Sequence, residues 1–394
     1  MSSFNTSYPS VDDLRTRAKR RIPGFAFEYL DGGCNEDVNL HKNTAEIRDI
    51  ELKPFYLREF AQVKLDCTLF GHAYSAPFGI APVGLQGLMW PGAAQILAKA
   101  AFEHNIPFVL STVTTSSIET IAEITEGKTW FQLYHPAEDA LTDDILQRLE
   151  AAGINTLVVL CDVPSFGFRP RDIRNGLAIP PKMTFRNMMQ IAGRPRWALQ
   201  TLINGKPEFA TMKRYMPQGL SMKRLGLYMN QTFSGRLNTD KIQRLRDKWK
   251  GILVLKGVAS EEDADTAVQA GFDGIIVSNH GGRQLDAGQS AIRSLTPILK
   301  KTKGTFPVMI DSGFRSGPDI ARGLVAGADF VFLGRSFMYG VAALGNKGGE
   351  HTIALLKAQL QQVMEQVGCQ TISNLNMHRA TNGTGVLNSD TNSF

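Results

Sequence analysis

Cysteine is scarce in this sequence, and the few cysteines are scattered. Cys34, Cys67, Cys161 and Cys369 lie far apart in a chain of 394 residues, and no two form a C-x-x-C pair. A zinc site or a disulfide framework requires cysteines at close or regular spacing. The pattern therefore predicts no metal site and no disulfide framework, and it favours a reducing compartment.

Long apolar runs are also absent. No uninterrupted stretch approaches the roughly 18 apolar residues that indicate a membrane-spanning helix. The first residues, Met1 to Asn5, lack the basic-then-apolar pattern of a secretory signal peptide. We therefore expect the chain to be located in the cytoplasm.

What the sequence does contain is a regular alternation of short apolar runs and helical patterns. The runs are rich in β-branched and aromatic residues, which is typical of buried strands. Eight runs occur, at 78–81, 107–110, 130–134, 156–160, 252–255, 274–277, 307–310 and 330–333. Together they predict an α/β fold, a (β/α)8 TIM barrel. An open doubly wound sheet is the alternative, but its G-x-G-x-x-G pattern after the first strand is missing.

We predict one barrel domain over residues 1–380. It begins with an N-terminal helical segment at 1–70, and a tail at 381–394 has the polar, glycine-containing composition of a disordered end. The fourth strand is followed by an insertion at 163–239, whereas such loops usually have about 2–6 residues. We expect this insertion to be partly mobile and to act as a lid or a binding element.

Functional side chains follow the strands in a shared register. In (β/α)8 barrels the active site lies at the C-terminal ends of the strands. The strand ends carry Pro82, Val83 and Gly84, then Ser111, Gln132 with Tyr134, Asp162 with Arg169, Lys256, Ser278 with His280, Asp311, and Gly334 with Arg335. Any one of them could be an ordinary core or surface residue, but the shared register predicts an active site.

Two kinds of motif stand out at these strand ends. In the stretch 278–286 (SNHGGRQLD), His280 is a candidate general base, and Arg283 can hold a carboxylate through a planar fork. The stretches 311–315 and 334–336 combine glycine with arginine after the seventh and eighth strands. Barrels commonly bind a ligand phosphate there, through backbone N–H groups and positive charge.

These motifs resemble the FMN-dependent 2-hydroxy acid dehydrogenases and oxidases, which include glycolate oxidase, lactate oxidase and the membrane-associated lactate and mandelate dehydrogenases. The resemblance extends from about Ile22 to Leu375 and includes 131–134, 255–257 and 311–315. It implies FMN as cofactor and oxidation of an L-2-hydroxy acid of lactate or mandelate type to the 2-keto acid. Electrons would pass to a membrane quinone or, alternatively, to oxygen with release of hydrogen peroxide.

The resemblance also implies a role for each matching residue. His280 is the expected base and Asp162 its carboxylate partner, assisted by Tyr134 and Lys256. The substrate is expected to contact Tyr29, Tyr134, Arg169 and Arg283. The expected FMN contacts are Pro82, Val83, Gly84, Ser111, Gln132, Lys256, Ser278, Asp311, Ser312, Gly313, Arg315, Gly334 and Arg335. At Leu160 the family usually has threonine, so one hydrogen bond to the flavin, worth about 1 kcal/mol, is expected to be missing.

Two other functions would suit a phosphate-binding barrel. One is an FMN-dependent isomerase of prenyl diphosphates, which would need a diphosphate site in place of a carboxylate site. The other is a non-catalytic protein that binds FMN or a phosphate. Both are disfavoured because His280, Asp162 and Arg283 occur together.

Positive charge is concentrated in the insertion. Residues 182–224 contain nine basic residues and one acid, a net charge of +8 in a chain of net charge +6. The apolar residues interleaved with them are Met183, Phe185, Met188, Met189, Ile191, Trp197, Leu199, Leu202 and Ile203. We expect this segment to attach the protein peripherally to the inner face of the plasma membrane, near quinone. A solvated basic loop over the active site is the alternative.

We also expect a homo-oligomer, a tetramer, and no nucleic-acid partner.

Overall fold

The computed structural model describes residues 4–177, 182–205, 207–217, 228, 231–233, 237–302 and 304–380. An antiparallel hairpin of β1 (Cys67–Leu69) and β2 (His72–Tyr74) precedes eight parallel strands. These are β3 (Phe78–Ile80), β4 (Val109–Ser111), β5 (Trp130–Leu133), β6 (Thr156–Leu160), β7 (Ile252–Val258), β8 (Gly274–Val277), β9 (Val308–Ile310) and β10 (Phe330–Leu333).

The eight strands close into a barrel. Their order is β3-β10-β9-β8-β7-β6-β5-β4, and a parallel bridge between Ile80 and Phe108 joins the two end strands. The Ile80 N–H donates to the Pro107 carbonyl at 2.8 Å across this closure. The predicted TIM barrel is therefore confirmed.

The strands read as continuous apolar runs because both of their faces are buried. Every residue of β6, for example, is buried. Inward side chains such as Val158, Val254 and Ile276 form one core inside the barrel, while Leu157 and Val159 belong to the core beneath the helices. Burial on both sides is usual for a parallel sheet covered by helices.

A ring of helices surrounds the barrel. The helices that follow the strands are Gln86–Met89, Ala93–Glu103, Ile118–Thr125, Asp139–Ala151, Thr239–Lys248, Glu261–Gln269, Ala291–Thr302, Gly317–Val325 and Arg335–Leu344, and a final helix covers Gly348–Val367. Ser117, Asn238, Ser260 and Ser316 cap four of them by accepting a backbone N–H of the first turn. Such caps satisfy donors that have no partner within the helix.

The N-terminal segment contains three helices, Val11–Arg21, Gly24–Asp31 and Val38–Arg48. Ser10 and Asp13 form a capping box that begins the first helix. Its buried residues, Leu14 and Ala18, face the helix Arg335–Leu344. Arg283 and Arg335, which follow β8 and β10, donate to the carbonyls of Tyr29 and Leu30, so the N-terminal segment also lies against the end of the barrel at which these strands finish.

The insertion covers the C-terminal ends of the strands. Its described helices are Pro170–Arg174, Phe185–Ala192 and Pro195–Asn204. Trp197 Nε1 donates to the Met89 carbonyl at 3.2 Å, and Thr211 Oγ1 donates to the Ser116 carbonyl at 3.1 Å. These bonds attach the insertion to the short helix Gln86–Met89 and to the loop after β4. The predicted disordered tail, 381–394, lies outside the described residues.

Candidate active site

A cavity of 1780 Å³ opens at the C-terminal end of the barrel, under the insertion. Fifteen of the residues predicted from the sequence line it: Tyr29, Pro82, Val83, Gly84, Tyr134, Arg169, Lys256, His280, Arg283, Asp311, Ser312, Gly313, Arg315, Gly334 and Arg335. The other four are close by. Asp162 and Ser278 bond to lining residues, while Ser111 and Gln132 are register partners on β4 and β5. The shared register of the strand ends therefore does bring these residues together.

His280 is fixed in a defined orientation. It follows β8 in a left-handed conformation, φ +58°, which is uncommon for a non-glycine residue. Its Nδ1 lies 3.2 and 3.1 Å from the two carboxylate oxygens of Asp162. Its Nε2 lies 3.4 Å from the hydroxyl of Tyr134. Because Nδ1–H donates to Asp162, the lone pair is on Nε2.

The charges of this group favour a neutral imidazole beside a carboxylate. Burial lowers the pKa of His280 and outweighs the opposing effect of Asp162. Burial also raises the pKa of Asp162, but His280 and Lys256 more than reverse this, so the net pKa is below its ordinary value. Burial raises the pKa of Tyr134, whose hydroxyl therefore keeps its proton. A neutral base, an anion and a proton donor are thus adjacent.

Arg283 is held by the N-terminal segment. Its Nη1 donates to the carbonyls of Tyr29 at 2.7 Å and Gly32 at 2.9 Å, and its guanidinium lies 4.8 Å from the centre of the Tyr29 ring. Both hydrogens of Nη1 are used in this way. The fork that was predicted from the sequence must therefore come from the Nη2 and Nε edge. Nη2 is buried and has no hydrogen-bond partner among the described residues.

Sequence analysis missed two features of the site around Arg169 and Arg283, the arginines expected to bind the substrate carboxylate. The first is Asp172, which lies 3.6 Å from Arg169 Nη1 and 3.9 Å from Arg283 Nη2. Its three-residue spacing from Arg169, after the helix-starting Pro170, could have indicated it. The second is the C-terminal end of the helix Gly24–Asp31, whose carbonyls carry no signal in the sequence.

Lys256 is a buried cation at the end of β7. Its side chain is 4% exposed, and its Nζ lies 2.9 Å from Ser278 Oγ and 3.0 Å from Asp311 Oδ2. Burial alone lowers the pKa of this lysine, but Asp311 and Asp162 more than reverse the effect and raise it. Lys256 therefore stays charged at neutral pH.

Unpaired polar atoms at the ends of β4 and β5 suit a ligand with hydrogen-bonding groups. Ser111 Oγ and Gln132 Nε2 are buried and have no hydrogen-bond partner within the described part of the chain. Buried polar groups are normally paired, so such atoms indicate a ligand or ordered water. Leu160, at the usual threonine position, is buried and offers no hydrogen bond of its own.

The opposite part of the cavity suits an anion. Gly313 has φ +95°, and a Cβ there would lie 2.7 Å from the Asn43 backbone. Arg335 donates to the carbonyls of Leu30, Gly281 and Gly32, which uses three of its five N–H groups. Burial, with Arg315 and Arg283 nearby, lowers the pKa of Arg335 to about 9. A bound phosphate would oppose that shift, so these residues fit the phosphate of FMN.

Comparison with known proteins decides the family. The model of the FMN-dependent dehydrogenases matches residues 18–382. The chain belongs to this family. FMN is thus the cofactor of this FMN-dependent dehydrogenase, and oxidation of a 2-hydroxy acid is its reaction. The predicted family resemblance is confirmed, while the individual residue roles stay predictions.

Relatives of this dehydrogenase match over nearly its full length. The L-lactate dehydrogenase of Vibrio parahaemolyticus serotype O3:K6 (strain RIMD 2210633) is 37% identical, over 92% of this chain and 96% of the relative. That of Xanthomonas axonopodis pv. citri (strain 306) is 36% identical, over 93% and 94%. The structure of the monotopic membrane protein (S)-mandelate dehydrogenase superposes with a TM-score of 0.90 and 35% identity, over 96% and 100%. A mandelate oxidase superposes with a TM-score of 0.81 and 30% identity, over 94% and 97%.

The insertion of this dehydrogenase exposes an apolar surface. Met183, Phe185, Met188, Met189, Leu199, Leu202 and Ile203 are exposed, with Leu202 at 81%. Trp197 differs from this prediction, since it is 4% exposed and packs edge-on against Phe25. Its indole fastens the insertion to the barrel, so it does not belong to the surface. Among the described residues no helix is long and apolar enough to cross a membrane.

Proposed function

We propose that the dehydrogenase acts on an L-2-hydroxy acid in this cavity, with His280 as the base. The arrangement of His280 carries the proposal, because its Nδ1 is held by Asp162 while its Nε2 faces Tyr134. A neutral imidazole in a fixed orientation is suited to accept a proton from the substrate. The substrate loses two electrons and two protons in this reaction: His280 accepts one proton, and FMN, when bound, would take up the electrons and the other proton.

The remaining polar residues bind the substrate and stabilise charge. Arg283 and Arg169 hold the substrate carboxylate, and Tyr29 supports Arg283 through its ring and carbonyl. Tyr134 donates its hydroxyl hydrogen toward the reacting oxygen. Asp162 stabilises the positive charge that His280 gains with the proton. Lys256 keeps a positive charge beside the cofactor site, where negative charge accumulates.

We propose a substrate of lactate or mandelate type. The relatives support this class, since they are called L-lactate dehydrogenases and (S)-mandelate dehydrogenase. Gly84 and Val113 line the cavity together with Tyr134, and both are small. The cavity exceeds the range of about 300–1,000 Å³ usual for a single ligand, which is consistent with a site that holds FMN and a substrate together.

Substitution of His280 by glutamine tests the proposed base. The variant is expected to keep its yellow FMN but to lose about 10²–10⁴-fold in the rate of flavin reduction, the usual contribution of a general base. The control is His72→Gln, on the exposed strand β2. Rapid-mixing measurements without oxygen give the reduction rate directly. A rate within threefold of the unmodified enzyme would remove His280 from this role.

We also propose that residues 182–224 bind the inner face of the plasma membrane, and that quinone there accepts the electrons. Support comes from the exposed apolar residues and from the exposed Lys182, Arg186 and Arg196. Each basic residue near an anionic surface contributes about 1 kcal/mol. The name of the similar (S)-mandelate dehydrogenase, a monotopic membrane protein, supports the same attachment. Lys206, Lys223 and Arg224 lie outside the described residues.

Sedimentation with anionic liposomes tests the attachment. The double variant Phe185→Ser, Leu202→Ser removes two exposed apolar side chains and is expected to bind liposomes at least tenfold more weakly. Burying each side chain in the membrane interface contributes up to about 1.5–3 kcal/mol. Leu57→Ser is a matched control, because Leu57 is fully exposed but outside the insertion. Equal binding of both variants would refute the attachment.

Acceptor and assembly need separate tests. A quinone analogue is expected to support faster turnover than oxygen, and fast formation of hydrogen peroxide would favour the oxidase alternative.

We propose a homotetramer on the family resemblance. Light scattering should then give about four times the chain mass of 43.3 kDa. A monomer mass would contradict it.

A further inference from the structure

Asp172 lies between the two arginines proposed to bind the substrate carboxylate. Its Oδ2 is 3.6 Å from Arg169 Nη1 and 3.9 Å from Arg283 Nη2, and none of the three side chains is more than 18% exposed. One carboxylate oxygen therefore faces two guanidinium groups inside the cavity. The inference drawn from this geometry rests on the proposed function, because it concerns the ligand that the arginines bind.

Neither contact is a hydrogen bond, since both are longer than about 3.2 Å. Arg169 Nε and Arg283 Nη2 are buried and have no hydrogen-bond partner among the residues that the structure describes. A buried donor without an acceptor is unfavourable. Burial raises the pKa of Asp172, and the two arginines reverse this only in part. Asp172 thus supplies charge to the arginines but leaves donors for a second carboxylate.

Neighbouring contacts anchor the backbone near Asp172 and one edge of Arg283. The neighbouring Arg171 pairs with Asp37 and lies 3.6 Å from Asp31, which fixes the short helix to the N-terminal segment. On the other side, two backbone carbonyls of the same segment hold Nη1 of Arg283. These contacts hold the short helix that carries Asp172 and one edge of the Arg283 guanidinium in place.

We propose that Asp172 is a positioning residue that serves as an internal counter-ion of the two arginines and weakens their hold on the product. In the free enzyme its charge keeps two buried cations next to each other. A bound ligand carboxylate accepts hydrogen bonds from the arginine donors that Asp172 leaves unpaired. The negative charge of Asp172 repels the negative charge of this ligand. Substrate and product carry the same carboxylate, so the repulsion assists release of the 2-keto acid. Product release is a rate-limiting step in many enzymes.

Binding of keto acids to the oxidised holoenzyme tests this role. The probes are pyruvate and phenylglyoxylate, the keto acids of lactate and mandelate, followed by the change in flavin absorbance. Asp172→Asn is expected to lower the Kd of the better-bound acid at least tenfold, which corresponds to about 1.4 kcal/mol. Lactamide has no carboxylate, so its Kd should stay the same.

Two further variants separate a local charge effect from other causes. Glu28→Gln removes a nearby carboxylate that binds Asn175 instead of an arginine, and Asp172→Glu keeps the charge at the site. Glu28→Gln is expected to bind keto acid as the unmodified enzyme does. Asp172→Glu, whose longer side chain brings the carboxylate closer to the two guanidinium groups, is expected to bind keto acid no more tightly than the unmodified enzyme. If the asparagine variant does not retain FMN, Asp172→Ser provides the same comparison.

An unchanged or higher Kd for keto acid in the asparagine or serine variant would overturn the proposal. A higher value would mean that Asp172 simply holds the arginines in place. A tighter lactamide complex, or equal tightening in Glu28→Gln, would likewise contradict a local counter-ion. The binding measurement requires no turnover. It can therefore fail while 2-hydroxy acids still reduce the flavin, and the proposed function is then unaffected.

Discussion

Replacement of Arg283 by lysine is a demanding test of the carboxylate site. Arg283 makes two hydrogen bonds through Nη1, to the carbonyls of Tyr29 and Gly32, while its Nη2 has no hydrogen-bond partner among the described residues. Lysine carries its charge on a single nitrogen. It therefore cannot donate to the two carbonyls and to the substrate from two edges of one plane, as a guanidinium group can. Hydrogen bonds to charged groups contribute about 1.5–3 kcal/mol each. Loss of one bond to the substrate should lower kcat/KM by a factor of about 10 to 150.

The effect should appear in both constants. KM rises because the substrate carboxylate is held less tightly, and kcat falls because the reacting carbon is less well placed relative to His280. Initial rates with a dye acceptor, measured on protein of known FMN content, give both values. Arg293→Lys is the matched control, since Arg293 is an exposed arginine that pairs with Glu46 at 3.0 Å. If kcat and KM of the Arg283 variant both stayed within twofold, the carboxylate would have to bind elsewhere.

Three further predictions concern His280, Gly84 and Gln132. Because His280 must be neutral to accept a proton and its pKa is lowered from 6.5, kcat/KM should fall with decreasing pH only below pH 6.5; a midpoint above pH 7 would contradict this. In Gly84→Ala the new Cβ would lie 2.8 Å from Val113 Cγ2, so the ratio of kcat/KM for lactate to that for mandelate should rise; an unchanged ratio counts against a side-chain pocket here. Gln132→Leu removes a buried, unpaired Nε2 and should raise the Kd of FMN about tenfold, for a bond of about 1.4 kcal/mol; FMN titration of the apoprotein with unaltered Kd would exclude a cofactor contact.

The barrel could be predicted because its strands are buried on both faces and its helices on one. The run 156–160 coincides with β6, and 274–277 coincides with β8. Elsewhere the bounds differ slightly, as for the run 107–110, where β4 covers Val109–Ser111. The location of the active site could be predicted from the fold, because all parallel strands of a barrel end on the same side.

The contacts that orient the site could not be predicted in the same way. Arg283 and Arg335 both bind carbonyls near the end of the helix Gly24–Asp31, more than 250 positions away in the chain. A backbone carbonyl is present at every residue, so the sequence does not distinguish the ones that bind. Trp197 illustrates a second limit: an aromatic residue among basic ones has the same pattern whether it faces the membrane or the protein. Its hydrogen bonds to carbonyls of the short helix Gln86–Met89 show that it faces the protein.

The central claim is that this dehydrogenase transfers electrons from an L-2-hydroxy acid to FMN with His280 as the base. The most direct measurement mixes the oxidised holoenzyme, without oxygen, with L-lactate or (S)-mandelate and follows the yellow flavin absorbance. We predict rapid bleaching with at least one of these acids, one keto acid formed per flavin, and no bleaching with its enantiomer. In His280→Gln the same step should be about 10²–10⁴-fold slower while FMN remains bound. Absence of bleaching with both L acids, or an equally fast step in the variant, would contradict the account.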